Sequence, residues 1–221
     1  MPENGRVRNR VSAAPAAGTG ASAGRVIAGV ARGRRLLAPG AGTRPLGDRV
    51  KQSLFAILEP ELRDTSFLDL FAGSGAAGIE ALSRGAALAF LVEQRRTVAQ
   101  FIERNLRTAG LLGPRARIVV ADAVAWLAGS SGGTEGGPFG VIFLDPPYGE
   151  PQLVDRALEL VAGAGRGRVL AADGVAVVKH SRVHPPPARI GLLRSAREER
   201  FGETMLTFYR WTKAGAGEED G

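Results

Sequence analysis

With 221 residues and 44% hydrophobic content, the chain has the length for one α/β domain with a modest appendage and can bury an ordinary core. It has no cysteine, which excludes disulfides and thiolate metal sites, and its two histidines, His180 and His184, offer no basis for a metal site or a catalytic triad. The net charge of +7 is unevenly placed, because ten of the 29 Lys/Arg but two of the 22 Asp/Glu fall in residues 1–53. The whole basic excess therefore sits in the first quarter of the chain, which favours contact with a polyanion over a merely solvated face. No apolar run approaches the length of a membrane span.

Residues 1–24 are rich in Ala, Gly and Ser, carry Arg6, Arg8 and Arg10, and lack apolar periodicity, so a disordered tail is expected. No Leu- or Phe-rich stretch follows those arginines, which argues against a secretory signal; a transit peptide is a minor alternative. Residues 25–47 read as short β segments (25–29, 32–37 and 43–45) punctuated by glycine, a small basic hairpin arm. Arg32, Arg34, Arg35 and Arg44, with Arg49 and Lys51 just beyond the arm, are candidate nucleic-acid contacts, because guanidinium and ammonium groups pair with phosphates. An ordinary solvated extension is the plain alternative. Asp48 is predicted to cap a helix through about Leu58, with Val50, Leu54, Ile57 and Leu58 on one face and Pro60 ending it.

Phe67, Leu68, Leu70 and Phe71 mark a buried strand over about 66–71, followed by a glycine turn and a helix from Ala76 to Arg84 that Gly85 closes. Strand, glycine turn and helix in succession make the ligand-binding corner of a doubly wound α/β fold. Gly73, Gly75 and Gly78 spell G-x-G-x-x-G, the dinucleotide pattern, and Glu93 lies where that pattern places a ribose-binding acid. Asp69 argues against a dinucleotide: a carboxylate at the mouth of the strand repels a pyrophosphate. A ligand carrying an ammonium and a sulfonium suits an acid there. The choice between NAD and S-adenosylmethionine has to come from the rest of the chain.

Residues 87–93 read as a second strand, and Val98, Phe101, Ile102 and Leu106 as an amphipathic helix that Gly110 ends. Residues 118–123 form a third strand, Trp126 and Leu127 a short helix, and 130–138 a flexible loop. A fourth strand, 141–144, runs directly into Asp145-Pro146-Pro147-Tyr148. Leu153, Val154, Ala157, Leu158 and Val161 mark a further helix, and 175–179 a fifth strand. Residues 189–193 and 204–211 are expected as antiparallel strands joined through a turn at Phe201-Gly202-Glu203, before a frayed acidic tail at 212–221. Four successive strands thus finish at Asp69, Glu93, Asp122 and Asp145. In a parallel sheet those ends share the edge where ligands bind, and capping alone does not account for an acid at each.

The Asp145-Pro146-Pro147-Tyr148 turn, downstream of an Asp-x-Phe-x-Gly-x-Gly corner, resembles the D/N-P-P-Y/F motif of S-adenosylmethionine-dependent amino-methyltransferases. Over about residues 25–211 the chain is similar to the RsmD family of bacterial 16S ribosomal RNA guanine-N2 methyltransferases. Arg25-x-Ile27-x-Gly29, Arg32-Gly33-Arg34-x-Leu36, Arg44-Pro45, Asp48-Arg49-Val50-Lys51, residues 68–75, residues 80–86, Glu93, residues 145–148 and Phe201-Gly202 carry the likeness. It departs at Leu46-Gly47, where that family usually has two threonines, and at Gln52, where it usually has glutamate.

The resemblance implies a doubly wound, seven-stranded Rossmann-like methyltransferase domain over 48–211, mostly parallel with a C-terminal antiparallel hairpin, behind the arm at 25–47. It implies S-adenosylmethionine as cofactor, with Asp69, Phe71, Gly73, Ser74 and Gly75 at its methionine end. Glu93 then takes the ribose hydroxyls, and Asp122 and the Ala123 amide the adenine. Asp145 and the Pro146 carbonyl accept the two N–H hydrogens of a guanine amine, Pro146 and Pro147 fix the turn, and Tyr148 stacks on the base. The implied substrate is 16S rRNA within a small-subunit particle, met in the cytoplasm by a monomer without metal. The alternatives are a DNA adenine or cytosine amino-methyltransferase, a protein glutamine methyltransferase, and a catalytically silent RNA-binding protein. For the first, 221 residues leave no room for a separate target-recognition domain.

Overall fold

The apolar runs assemble into one twisted sheet with helices on both faces. The computed structural model describes residues 22–40, 46–129, 136–147, 149–163 and 169–212. In chain order they form β1 (Ser22–Arg25), β2 (Arg35–Leu37), α1 (Asp48–Leu62), β3 (Ser66–Leu70), α2 (Ala76–Ser83), β4 (Leu88–Val92), α3 (Arg96–Ala109) and β5 (Ala116–Val119). There follow α4 (Ala123–Ala128), β6 (Phe139–Leu144), α5 (Pro151–Ala162), β7 (Leu170–Ser181), β8 (Arg189–Ile190), β9 (Leu193–Phe201) and β10 (Thr204–Trp211). The main sheet has eight strands in the order β5-β4-β3-β6-β7-β10-β9-β8, with β3 to β7 parallel and β10 antiparallel to both β7 and β9. The chain winds outward from β3 through β4 to β5, then returns to place β6 on the other side of β3. That reversal opens a crevice at the carboxyl ends of β3 and β6.

Strand alternation divides the core into two layers. Phe67, Leu91, Phe143 and Val177 face α1, α2 and α3, while Leu68, Phe90, Ile142 and Val178 face α4 and α5. Phe55 of α1 stacks on Phe67 with ring centroids 6.0 Å apart. The domain is therefore the seven-stranded arrangement the sequence implies, extended by the two-residue β8 at its edge.

Several boundaries differ from the sequence reading. Pro60 lies inside α1 rather than ending it; in the last turn its missing N–H forfeits a single i→i−4 bond and the helix runs on to Leu62. Gly47, not Asp48, is the N-cap of α1, because the Asp48 carboxylate pairs instead with Arg25 at 3.4 Å and lies 3.9 Å from Lys51. β5 ends at Val119, short of Asp122. β9 covers the charged run 194–200, an exposed strand near the sheet edge without the apolar alternation that marks a buried one. β1 begins at Ser22, inside the expected tail; residues 1–21, 130–135 and 213–221, where a tail, a flexible loop and a second tail were expected, lie outside the described residues.

The basic arm does form an antiparallel hairpin, β1 with β2, but it is no separate lobe. Ala23, Val26, Ala31, Leu36 and Ala38 belong to the same apolar cluster as α1 and α2. Buried polar side chains staple it down. Glu80 of α2 accepts the amides of Ile27 (2.7 Å) and Ala28 (3.0 Å) and holds Arg84 at 2.8 Å. Ser83 Oγ accepts the Ala31 amide and donates to the Ala28 carbonyl, and Asn105 of α3 accepts the Leu37 amide while donating to the carbonyls of Leu37 and Ser74. Three buried polar residues of α2 and α3 thus satisfy a segment of backbone that has few ladder partners of its own.

Candidate active site

Parity along the strands places the charged groups. Leu68, Val92, Leu144 and Val178 all point toward α4 and α5, so the residue after each, Asp69, Glu93, Asp145 and Lys179, emerges on the opposite side at the carboxyl edge. There they line a cavity of about 820 Å³ at the topological switch point. That volume lies within the range of pockets that enclose a small-molecule ligand.

The glycine corner is built around two of these carboxylates. Asp69 Oδ2 accepts the Gly78 amide of α2 at 2.9 Å, and Glu93 accepts the amides of Gly73 and Arg95, both at 3.0 Å. A side chain at Gly78 would press its Cβ to 2.7 Å from Leu91 Cδ2, so glycine there lets α2 lie against the sheet and reach Asp69. Phe71 holds φ +65°, a conformation that a bulky residue adopts at a cost of roughly 1–3 kcal/mol and that recurs at ligand sites. Burial pushes Asp69 well above the usual carboxylate range; the Gly78 amide opposes this, and Asp145 and Glu93 push it further.

This arrangement speaks against a dinucleotide. Amides of the glycine turn and of the first helical turn that a pyrophosphate would use are already held by carboxylates, and the field there is negative. A ligand that brings positive charge relieves the crowding of Asp69, Glu93 and Asp145, as the ammonium and sulfonium of S-adenosylmethionine do. Glu93 is held by two backbone amides at the far side of the glycine turn and lines the same cavity. Asp122 caps α4 by accepting the Ala125 amide at 2.8 Å, and with Ala121 and Ala123 it lines the cavity. The residues present fit that cofactor.

Asp145, Pro146 and Pro147 leave β6 as a turn along the cavity wall, next to Phe143 and Leu153. Lys179 of β7 donates to Asp145 Oδ1 at 2.5 Å. Burial raises the Asp145 carboxyl above its usual value, and the Lys179 ammonium works against that rise. Lys179 went unnoticed in the sequence, although it ends an apolar strand run just as the four acids do.

The structure thus brings together Asp69, Phe71, Gly73, Ser74, Glu93, Asp122, Ala123, Asp145, Pro146 and Pro147 around one space. Gly75 is a correction: it does not line the cavity but N-caps α2 at φ +77°, with its Cβ position facing Ile102 and Leu91. Lys51 is a second correction. It is 0% exposed and donates to the Arg25 carbonyl at 2.5 Å, among Glu80, Asp48 and Arg84, so it is a strut between α1 and the arm and is not open to a phosphate. Arg32, Arg34, Arg35 and Arg49 are exposed. Tyr148 and Arg44 lie outside the described residues. Sequence reasoning also missed Ala23, Ala38 and Leu46, through which the arm and its connection to α1 supply part of the cavity wall. Among the described residues no helix is long and apolar enough to cross a membrane, and no group of three His, Asp or Glu is placed to hold a metal ion.

Comparison with known proteins agrees with this geometry. The family described as Conserved hypothetical protein 95 matches residues 24–210. The chain is 37% identical over 187 residues to the putative rRNA methyltransferase YlbH of Bacillus subtilis, covering 84% of this chain and 98% of that protein. It is 46% identical over 125 residues to Ribosomal RNA small subunit methyltransferase D of Escherichia coli K12, a match that spans 56% of this chain and 60% of the relative's length. The solved structure of the putative methyltransferase yhhF from Escherichia coli superposes with a TM-score of 0.73 at 36% identity, covering 85% of this chain and 97% of that one. A match across nearly the whole described fold, arm included, goes with the Asp-Pro-Pro turn at the cavity: the chain belongs to the RsmD family, the Conserved hypothetical protein 95 family.

Proposed function

We propose that this protein transfers a methyl group from S-adenosylmethionine to the exocyclic N2 amine of a guanine in small-subunit (16S) ribosomal RNA, in the cytoplasm and within a ribosomal particle. The observation that carries the reading is the Asp145-Pro146-Pro147 turn at the switch-point cavity, with a partly buried carboxylate at its head and a basic arm forming part of the same wall. The names of the Escherichia coli and Bacillus subtilis relatives support rRNA as the substrate.

The cofactor, when bound, supplies an electrophilic methyl group on a sulfonium. The protein's task lies with the amine, a poor nucleophile because its lone pair is delocalised into the purine ring. Asp145 accepts one N–H and the Pro146 carbonyl the other, which draws the nitrogen toward a tetrahedral form with its lone pair aimed at the methyl carbon. Methyl transfer from the bound cofactor would form the N–C bond and leave the pair of the broken C–S bond on sulfur. The nitrogen, now positive, sheds a proton to Asp145 or to water. No strong base is required beforehand. Tyr148 is assigned the stacking of the extruded base.

Cofactor binding is checked by calorimetry with S-adenosylhomocysteine. Glu93→Ala is expected to weaken it by about 1–3 kcal/mol, the worth of a hydrogen bond to a charged acceptor. Tight NAD binding with no heat from the adenosyl ligand would reverse the cofactor assignment. The reaction is checked by mass spectrometry of 16S rRNA from a strain lacking this protein. One N2-methylguanosine should be missing and should return when small-subunit particles are incubated with the purified protein and S-adenosylmethionine. Unchanged rRNA, or methyl groups on DNA bases instead, would replace this reading with one of its alternatives.

A further inference from the structure

We propose that Lys179 is a positioning residue for Asp145: it grips Oδ1 of the carboxylate and leaves Oδ2 to receive the N–H of the incoming amine. The inference rests on the function proposed above. β6 and β7 run parallel with Leu144 opposite Val178, so the next residue of each strand emerges at the same level and on the same side. Those residues are Asp145 and Lys179. The Lys179 side chain is 5% exposed and that of Asp145 18%, so the pair sits at the cavity wall, largely out of water. The 2.5 Å contact is to Oδ1, and among the described residues Oδ2 accepts no hydrogen bond.

The charges around the pair show what this contact does. Asp69 on β3 and Glu93 after β4 are carboxylates of the same rim, and Glu150 before α5 lines the same cavity. Arg95, the other cation lining the cavity among the described residues, lies 3.5 Å from Glu93. His180, next along β7, is turned to the opposite face, where its ring nitrogens meet Thr207 Oγ1 at 2.8 Å and the Ser181 carbonyl at 2.9 Å. Among the described residues, Lys179 is thus the cation that faces Asp145. A buried carboxyl beside other carboxylates tends to keep its proton, and a protonated Asp145 would present an O–H where the amine needs an acceptor. The ammonium opposes protonation. By fixing one oxygen it also removes the rotation that would otherwise swing the second away from the amine. A lysine that merely braced the turn would do neither.

Two measurements on the full-length protein separate these roles. In the first, Asp145 is followed by carboxyl-¹³C NMR against pH without RNA, in the wild type, Lys179→Met and Lys179→Arg. The Met variant should titrate about one to three pH units higher, the effect of losing an adjacent opposite charge, and the Arg variant near the wild type. In the second, kcat is measured against pH on small-subunit particles lacking the modification. The acid limb of Lys179→Met should move up with the carboxyl, costing about tenfold in rate per unit on that side, with S-adenosylhomocysteine affinity unchanged and Lys179→Arg retaining activity. An Asp145 midpoint that stays put in the Met variant, or a loss confined to cofactor affinity, overturns the assignment. Should Lys179→Met fail to fold, Lys179→Gln keeps a donor to Oδ1 without the charge and serves the same comparison. If the wild-type protein methylates no particle, the proposed function fails, while the carboxyl titration still decides whether Lys179 governs Asp145.

Discussion

Replacing Asp145 by alanine is expected to lower kcat by about 10²- to 10³-fold, the usual loss when a preorganised partner of the reacting group is removed. The amine loses the acceptor that draws its lone pair toward the methyl group, and the Pro146 carbonyl alone does not hold a planar nitrogen in a tetrahedral arrangement. Cofactor affinity should survive, because the hydrogen-bonded contacts assigned to the cofactor belong to Asp69, Glu93 and the glycine turn. The ligand used to read affinity matters, however. Asp145→Ala takes away a carboxylate that offsets the Lys179 ammonium at the cavity wall, so S-adenosylmethionine itself, with its positive sulfonium, should bind more weakly. S-adenosylhomocysteine has a neutral sulfur and escapes that repulsion. Equal S-adenosylhomocysteine affinity with methyl transfer nearly abolished, measured by calorimetry and by tritium transfer to particles, is the expected pair of results. Near-normal turnover in the variant would remove Asp145 from the catalytic role.

The acids of the rim were legible in the sequence because each follows an apolar strand run directly, and a parallel sheet gathers such ends on one edge. Asp122 is the exception that shows the limit of that rule. β5 stops at Val119, and Asp122 reaches the cavity as the cap of α4. Lys179 carries the same signal as the acids, since it too ends an apolar strand run, at 175–179. Glu80, Ser83 and Asn105 gave no chemical sign of their role, although Glu80 and Ser83 fall within the stretch 80–86 that carries the family likeness. They sit in helices where glutamate, serine and asparagine ordinarily face water, and only the docking of the arm gives them buried partners. Lys51 was misread for the converse reason: a lysine in a basic run looks solvated until α1 and the arm close over it. β9 escaped notice because β-periodicity is a signal of burial, and its charged residues are largely exposed.

Neutralising Arg32, Arg34 and Arg35 together, as glutamines, should weaken RNA binding most at low salt and leave cofactor affinity intact. All three are exposed on the hairpin, with no ion pair among the described residues, whereas Arg25 is partnered by Asp48. The hairpin that carries them is fixed by Glu80, Ser83 and Asn105, and through Ala23 and Ala38 it borders the cavity, so phosphates held there lie beside a base entering the site. For every phosphate that an arginine no longer neutralises, the slope of log affinity against log salt shrinks by roughly 0.7–0.9, so the triple substitution should reduce its magnitude by about 2 to 3. Deleting residues 1–21, which stops short of β1 and leaves the hairpin whole, should matter less than the triple substitution even though it removes Arg6, Arg8 and Arg10. The glutamine stems preserve the surface, so a change in slope without a change in thermal midpoint reports phosphate binding rather than unfolding. Filter binding of small-subunit rRNA at several salt concentrations decides the matter. A triple variant with the wild-type slope would make the arm a structural cover of the cavity and send the search for the RNA surface elsewhere on the molecule.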